Sequence, residues 1–431
     1  MTEKTEGTKP AEEAASPTIW GLLTKNPHYG LLWLGQILSR LGNYVYGTAI
    51  GVLAYQVTGS GSAVAVVVGA FSVVQLVLIL VGGVVADRLP RRLIIGGTDL
   101  AACLLVGGIG LWAAMGSPEL WALVAVSALL GVLAALHLPA YRAIAHEVVD
   151  DADLPASAAL SALVNPMTVV AGPALGAALM AFGGVAMCLL ADAVSFGVAV
   201  LLLLPALRGR PVERPARPAQ RAAGMAGIIT DVRAGLVVIR ERPVLRTTIV
   251  AAAVAVACVD APVGVLLPVL VADAGWSDWV VGATGAAIGL GTAASVPLLL
   301  RLPDRYAARA HGWAMAVAGL PLLVGALMSE LTGWLVAAVC YGGLVAVRYI
   351  RQTLIQQSGP RDKVGLIFSV DTFATLALTP AVYAVVGVLV TWLPPRSLLV
   401  GGAVLNLLLV GWVMWRTARP LHTGVLASEG E

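Results

Sequence analysis

A chain of 431 residues that is 59% hydrophobic and only 12% charged, with a mean hydropathy of +0.89, has too little polar surface to cover a water-soluble core of its size. Most of its exterior must therefore face lipid, which excludes an ordinary soluble enzyme or binding domain. The formal net charge of +3 decides little by itself, so the information lies in where the 27 Lys and Arg fall.

In chain order, residues 1–17, the greater part of an expected tail over 1–26, are polar and carry Glu3, Glu6, Glu12 and Glu13. They lack the basic-then-apolar pattern of a secretory signal and are expected to form a disordered cytoplasmic tail. Twelve apolar stretches long enough to cross a bilayer follow, at about 29–56, 63–86, 93–115, 119–141, 158–181, 185–207, 246–271, 279–300, 311–329, 332–352, 365–390 and 397–415. The first six make an N-terminal half over 27–207 and the last six a C-terminal half over 246–415. Between them, 208–245 begins as a Pro- and Arg-rich linker and ends in a stretch that sets Ile228, Val232, Leu236 and Ile239 on one helical face, the pattern of an interfacial amphipathic helix. Residues 416–431 form a second cytoplasmic tail.

The basic residues test this count independently, because short cytoplasmic loops retain Lys and Arg. With both termini inside, 25 of the 27 fall on one side. The exceptions are Arg396 and Arg40, the latter inside the first span. Cys103, Cys188, Cys258 and Cys340 stand far apart in apolar runs, with no C-x-x-C pair, and are expected to be packing residues with neither disulfide nor metal. The central basic loop fits an anionic lipid surface better than nucleic acid.

Two loops echo each other across the halves: Asp87-Arg88-Leu89-Pro90-Arg91-Arg92 after span 2, and Asp304-Arg305-Tyr306-Ala307-Ala308-Arg309 after span 8. That is where a parallel repeat would place them. The stretch from Gly83 through Asp87, Arg88 and Pro90 to Arg91 and Arg92 also resembles the G-x-x-x-D-R-x-G-R-R signature of the major facilitator superfamily, with Pro90 in place of the second glycine. That replacement, with Thr58-Gly59-Ser60, Pro139-Ala140, Glu147-Val148-Val149, Ala191 to Phe196 and Arg242 to Arg246, resembles the branch of drug and siderophore exporters. Gly172-Pro173-Ala174-Leu175-Gly176 in span 5 is similar to the G-P-x-x-G stretch of antiporters. The resemblance covers about residues 25–415 and implies twelve helices in two six-helix halves, with spans 1, 4, 7 and 10 lining a central cavity. It also implies a cytoplasmic gate in which Gly83 admits a close helix approach and Asp87, Arg88, Arg91 and Arg92 form a charged latch against span 11. The chain departs from the branch at Asn43, where many members have an aspartate, and at Gly365-Leu366-Ile367.

Ionisable groups inside hydrocarbon are costly, so each is a functional candidate. Gln36, Arg40, Asn43 and Gly47 share one stripe of span 1. Asp260 in span 7 stands near the repeat position of Asn43 and is the leading candidate proton carrier, its alternative being a structural ion pair with Arg40. Asp192 and Asp371 are the next candidates, and His137 is a possible relay or a packing histidine. Gln36, Arg40, Asn43 and Arg348 are the expected cavity residues, whereas Arg142 and Arg351 read as cations snorkelling to the interface. No nucleotide loop and no H-E-x-x-H or G-x-S-x-G appears. The expectation is a monomeric, cofactor-free exporter of amphipathic small molecules by proton antiport in the cell membrane. A membrane receptor, or a facilitator of another substrate class, remains an alternative.

Overall fold

The computed structural model describes residues 19–208, 225–299, 301–358, 360 and 364–418. Its helices are α1 Ile19–Lys25, α2 Pro27–Thr58, α3 Gly61–Arg88, α4 Arg91–Met115, α5 Leu120–Val148, α6 Leu154–Arg208, α7 Met225–Glu241 and α8 Pro243–Ala255, followed by α9 Ala261–Asp273, α10 Trp279–Leu299, α11 Asp304–Val317, α12 Gly319–Leu327, α13 Leu331–Val345, α14 Arg348–Ser358, α15 Val364–Leu389 and α16 Pro395–Ala418. No strand occurs among the described residues.

Ten stretches among these residues are long and apolar enough to cross a bilayer. One of them, Met167–Pro205, has 39 residues and holds two passes. Gly184 divides it, turning the chain at φ 66° and ψ −162°, a conformation that side chains bearing a Cβ resist. α2, 32 residues long but diluted by its polar stripe, supplies the remaining pass. The passes in order are α2, α3, α4, α5, the two arms of α6, α8 with α9, α10, α11 with α12, α13 with α14, α15 and α16. This is the all-α membrane protein of twelve helices in two halves that the sequence implies.

The halves touch most closely at one end of the bundle, the end of the α2–α3 turn. There a single apolar cluster draws on both halves, from Val45 and Leu53 of α2 and Val64 of α3 to Val265 and Leu266 of α9, with Val386 of α15. A Cβ on Gly61 would crowd Val269 and Val390, and Gln56 Nε2 donates to Asp278 Oδ2 at 2.7 Å. At the opposite end, each half has clusters of its own. One holds Leu22, Ile94, Ile144 and Leu203; another holds Val238, Leu245, Ile355 and Ile367. In lipid, where burying apolar area gains little, such close packing is what holds helices together.

Two passes are broken for identifiable reasons. Pro262 has no N–H to offer the carbonyl of Cys258, and the segment Val256–Asp260 just before it widens into a π turn. The tenth pass breaks between Val345 and Arg348. Fully buried His311 seats itself there, with Nδ1 3.1 Å from the Val347 carbonyl and Nε2 3.3 Å from that of Thr248.

Three expectations need correction. The amino-terminal tail is not unstructured up to residue 26, because α1 forms over Ile19–Lys25 and buries Leu22. The amphipathic helix α7 docks through Gly235, Val238 and Ile239, leaving Leu236 half exposed, because Gly235 lets Val370 of α15 approach. The side chains of Ile228 and Val232 lie outside the described residues, as does most of the linker. Gly83 is not the close-approach residue of its motif, since a Cβ there meets nothing within 4 Å. The neighbouring Gly82 is, packed on the Ala135 backbone of α5.

Candidate functional site

A cavity of about 520 Å³ opens between the helices, and its wall comes chiefly from the first half. α2 contributes Gln36, Arg40 and Asn43, α4 contributes Asp99, α5 contributes His137 and Tyr141, and the second arm of α6 contributes Asp192. Gly264 of α9 and Tyr383 of α15 complete it from the second half. Its lining is a mixed one, since Ile50, Phe71 and Phe196 set apolar faces among these polar groups. The stripe read from span 1 thus does face the cavity, with Gln36 buried at 4% exposure and Asn43 tied back to the Ser39 carbonyl at 2.8 Å. Arg40 lies over the Tyr141 ring at 5.6 Å, a cation–π contact that gives its charge a partner away from water.

The carboxylates divide by half. Asp260, at the end of the π turn, is held by Arg348 at 3.0 Å and by the hydroxyl of Tyr341. Asp371 on α15 is held by Arg351 at 2.8 Å. The expected alternative for Asp260, a pair with Arg40, is therefore corrected: the break in the tenth pass turns Arg348 toward it instead, while Arg40 rests on Tyr141. Arg351 is likewise no mere snorkelling residue, because its side chain is 17% exposed and paired.

The two first-half carboxylates of the cavity, Asp192 and Asp99, have no arginine or lysine partner among the described residues. Asp192 is 1% exposed, accepts from Ser195 Oγ at 3.4 Å through Oδ1, and leaves Oδ2 without a partner. Gly42 makes room for it, since a Cβ there would run into Asp192 and Ser195. Asp99, 3% exposed, lies 3.5 Å from His137 Nδ1. The same imidazole approaches Thr98 Oγ1 at 2.9 Å and Gln36 Oε1 at 3.4 Å. Asp99 was not among the candidates taken from sequence. It stands inside the third apolar run, where the cost of ionisable groups in hydrocarbon applied to it equally.

The remaining candidates fall elsewhere. Gly172 and Gly176 let α6 approach Tyr44 and Thr48 of α2, while Pro173 packs against Gly285 of α10, so this stretch joins three helices and both halves. At the α3–α4 turn Arg88 is exposed and Arg92 is buried, at 9% exposure, while the side chain of Asp87 lies outside the described residues. Among the described residues no cluster of three or more His, Cys, Asp or Glu side chains is arranged to hold a metal ion.

Comparison with known proteins is consistent with this architecture. The profile of the Major Facilitator Superfamily matches residues 32–379. A protein of Bacillus subtilis strain 168, described as the uncharacterized MFS-type transporter YfiS, is 24% identical over 377 residues, covering 84% of this chain and 87% of that one. Among solved structures, a bacterial homologue of the iron transporter ferroportin in an inward-facing state superposes with a TM-score of 0.66 at 18% identity, covering 91% of this chain and 99% of that one. A bacterial homologue of the human lysosomal transporter Spinster, inward-facing and unoccupied, gives 0.64 at 14% identity, covering 91% and 97%. At these identities the structural likeness speaks for the fold alone.

Proposed function

This chain belongs to the Major Facilitator Superfamily, a transporter of the membrane and not an enzyme, and from that premise we propose that it is a secondary exporter of amphipathic small molecules driven by proton antiport. The single observation that carries this reading is the cavity itself. It joins apolar walls to a few polar groups, the composition that suits amphipathic ligands, and it contains a buried carboxylate, Asp192, with no cationic side chain beside it.

The division of carboxylates assigns roles. Asp192, and Asp99 beside His137, line the cavity where a proton and a substrate would compete for the same wall. Asp260 with Arg348 and Asp371 with Arg351 serve as ion pairs that hold the second half's broken passes in register. The charged motif from Asp87 to Arg92 acts as the cytoplasmic gate, and Gly172, Pro173 and Gly176 as a pivot between halves. Arg40 favours neutral or anionic substrates over lipophilic cations.

Topology follows from the basic residues: both termini and the α3–α4 turn face the cytoplasm of a cell membrane. The end where both halves share one apolar cluster is then the outer one, and the conformation is open inward. Rocking the halves about the α6–α10 contact would expose the cavity to the other side, as alternating access requires. The protein works as a monomer and needs no cofactor.

Inverted membrane vesicles test this directly. With an imposed proton gradient, a fluorescent amphipath such as fluorescein should accumulate in vesicles carrying the protein, and accumulation should vanish when an ionophore collapses the gradient. Accumulation that persists after collapse contradicts proton antiport, and preferential accumulation of ethidium contradicts the lean away from cations.

A further inference from the structure

The polar cluster at the α2–α4–α5 junction has hydrogen-bond chemistry that fixes more than its distances. Thr98 Oγ1 lies 2.8 Å from the Ile94 carbonyl and 2.9 Å from that of Ile95. These two short contacts favour placing its single hydrogen on its own helix. With that hydrogen on its own helix, the hydroxyl accepts from His137 Nδ1, 2.9 Å away, which puts a hydrogen on Nδ1, and the Asp99 carboxylate 3.5 Å away faces the same N–H.

The other ring nitrogen then determines the state. Nε2 faces Gln36 Oε1 at 3.4 Å. Two acceptors do not bond, so this orientation requires a hydrogen on Nε2 too, making the ring an imidazolium balanced by Asp99. A neutral ring instead requires the Gln36 amide to turn over and donate its N–H to Nε2. Each arrangement gives both ring nitrogens a partner, and they differ by one proton and half a turn of one amide.

We propose that His137 and Asp99 bind a single exchangeable proton, and that Gln36 displays the loaded or empty state on the cavity wall. When the site is loaded, Gln36 gives its carbonyl to the ring and turns its N–H toward the cavity; when the site is empty, it turns its carbonyl there. The empty form therefore accepts a substrate carrying a hydroxyl or amide N–H, and loading the proton withdraws that acceptor. Proton and substrate exclude one another without touching. This deepens the proton-antiport reading and rests on it, because it names the atoms that carry the exchange and one feature of the substrate.

The charges around the ring are few. Arg40, on α2 one turn beyond Gln36, lies over Tyr141, and Tyr141 itself stacks on His137 with centroids 6.2 Å apart. Asp192 on α6, Tyr46 on α2 and Tyr383 on α15 share the cavity. Asp99 is the carboxylate nearest the ring, so it is the group whose removal should change the ring's behaviour most.

The test needs no substrate. The full-length protein, labelled with 15N-histidine and purified, reports the protonation of each ring nitrogen by NMR, and the signal missing in His137→Gln assigns residue 137. The expected result is a neutral form with hydrogen on Nδ1 and a second hydrogen gained at Nε2 within pH 5–9, with that change lost from the window in Asp99→Asn. A neutral residue 137 ring with hydrogen on Nε2, or no change in it across the window, overturns the site; so does a wild-type spectrum in which none of the five histidines gains a second hydrogen at Nε2 within the window, even if no variant folds. A second arm measures proton-driven accumulation of fluorescein in inverted vesicles. Loss of gradient-driven accumulation in Asp99→Asn, with downhill exchange retained, supports the site, and equal loss of both marks a merely structural role and contradicts it. If the ring titrates as expected while wild-type vesicles show no proton coupling, the antiport reading fails and the proton site stands.

Discussion

The two halves of this transporter meet the same problem, acidic side chains inside hydrocarbon, in opposite ways. In the second half each of the two carboxylates described in the site is neutralised: Asp260 by Arg348 with Tyr341, and Asp371 by Arg351. In the first half, among the described residues, the Asp192 side chain has only Ser195, and Asp99 has a histidine whose charge depends on a proton. A charge in the bilayer centre costs roughly 3 kcal/mol on insertion scales, so a pair is a way to keep a permanent charge. An unpaired carboxylate is affordable where protonation is part of its use. The contrast supports the proposed division, in which the second half holds shape and the first exchanges a proton.

The largest expected effect breaks the permanent side of that contrast. Arg351→Ala strands Asp371, whose side chain is 10% exposed. Removing one partner of a buried pair costs about 3–5 kcal/mol, so the purified protein should lose thermal stability markedly, and adding Asp371→Asn should recover most of it. A neutral single variant would mean that the pair is not structural. Arg348→Ala should cost less, because its side chain is 40% exposed and water already screens the pair.

Gly42→Val comes next. Its side chain must enter the space of Asp192 and Ser195, and overpacking of this kind costs about 1–3 kcal/mol. Thermal stability should fall and proton coupling with it, whereas Gly83→Val, with open space around it, should do neither. Asp192→Asn sharpens the contrast differently: melting temperature should stay the same or rise, while gradient-driven accumulation falls at least tenfold. If Asp260→Asn abolishes coupling and Asp192→Asn does not, the roles of the halves are reversed. The smallest effect belongs to Asn43→Ala, whose amide is spent on its own helix; stability should change by no more than about 0.5 kcal/mol.

How far the sequence revealed this depends on the scale of the question. Twelve passes were legible because apolar runs of the needed length and the one-sided placement of Lys and Arg are local signals. The motif around Asp87 and the stretch from Gly172 to Gly176 were legible as resemblance, but the structural reason for the latter is Tyr44, Thr48 and Gly285 on other helices. Pairing was not legible. Asp260 was matched with Arg40 in the sequence, and what decides for Arg348 is a helix break occupied by His311, a residue with no distinguishing neighbours in sequence. Asp99 escaped notice because nothing in the chain places it beside His137, a contact across thirty-eight positions that only the packing of α4 on α5 makes. Gly42 likewise reads as one glycine among many until Asp192 is seen against it.

The central claim is that protons leave one of the first-half sites when substrate occupies the cavity. It is tested most directly by adding fluorescein to the purified protein in weakly buffered detergent solution near neutral pH and following a pH indicator. Proton release on addition, absent in Asp192→Asn or Asp99→Asn and retained in Asp260→Asn, is the expected result. Fluorescein binding with no proton release in the wild type, or release that survives both first-half substitutions and disappears with Asp260→Asn, would contradict it.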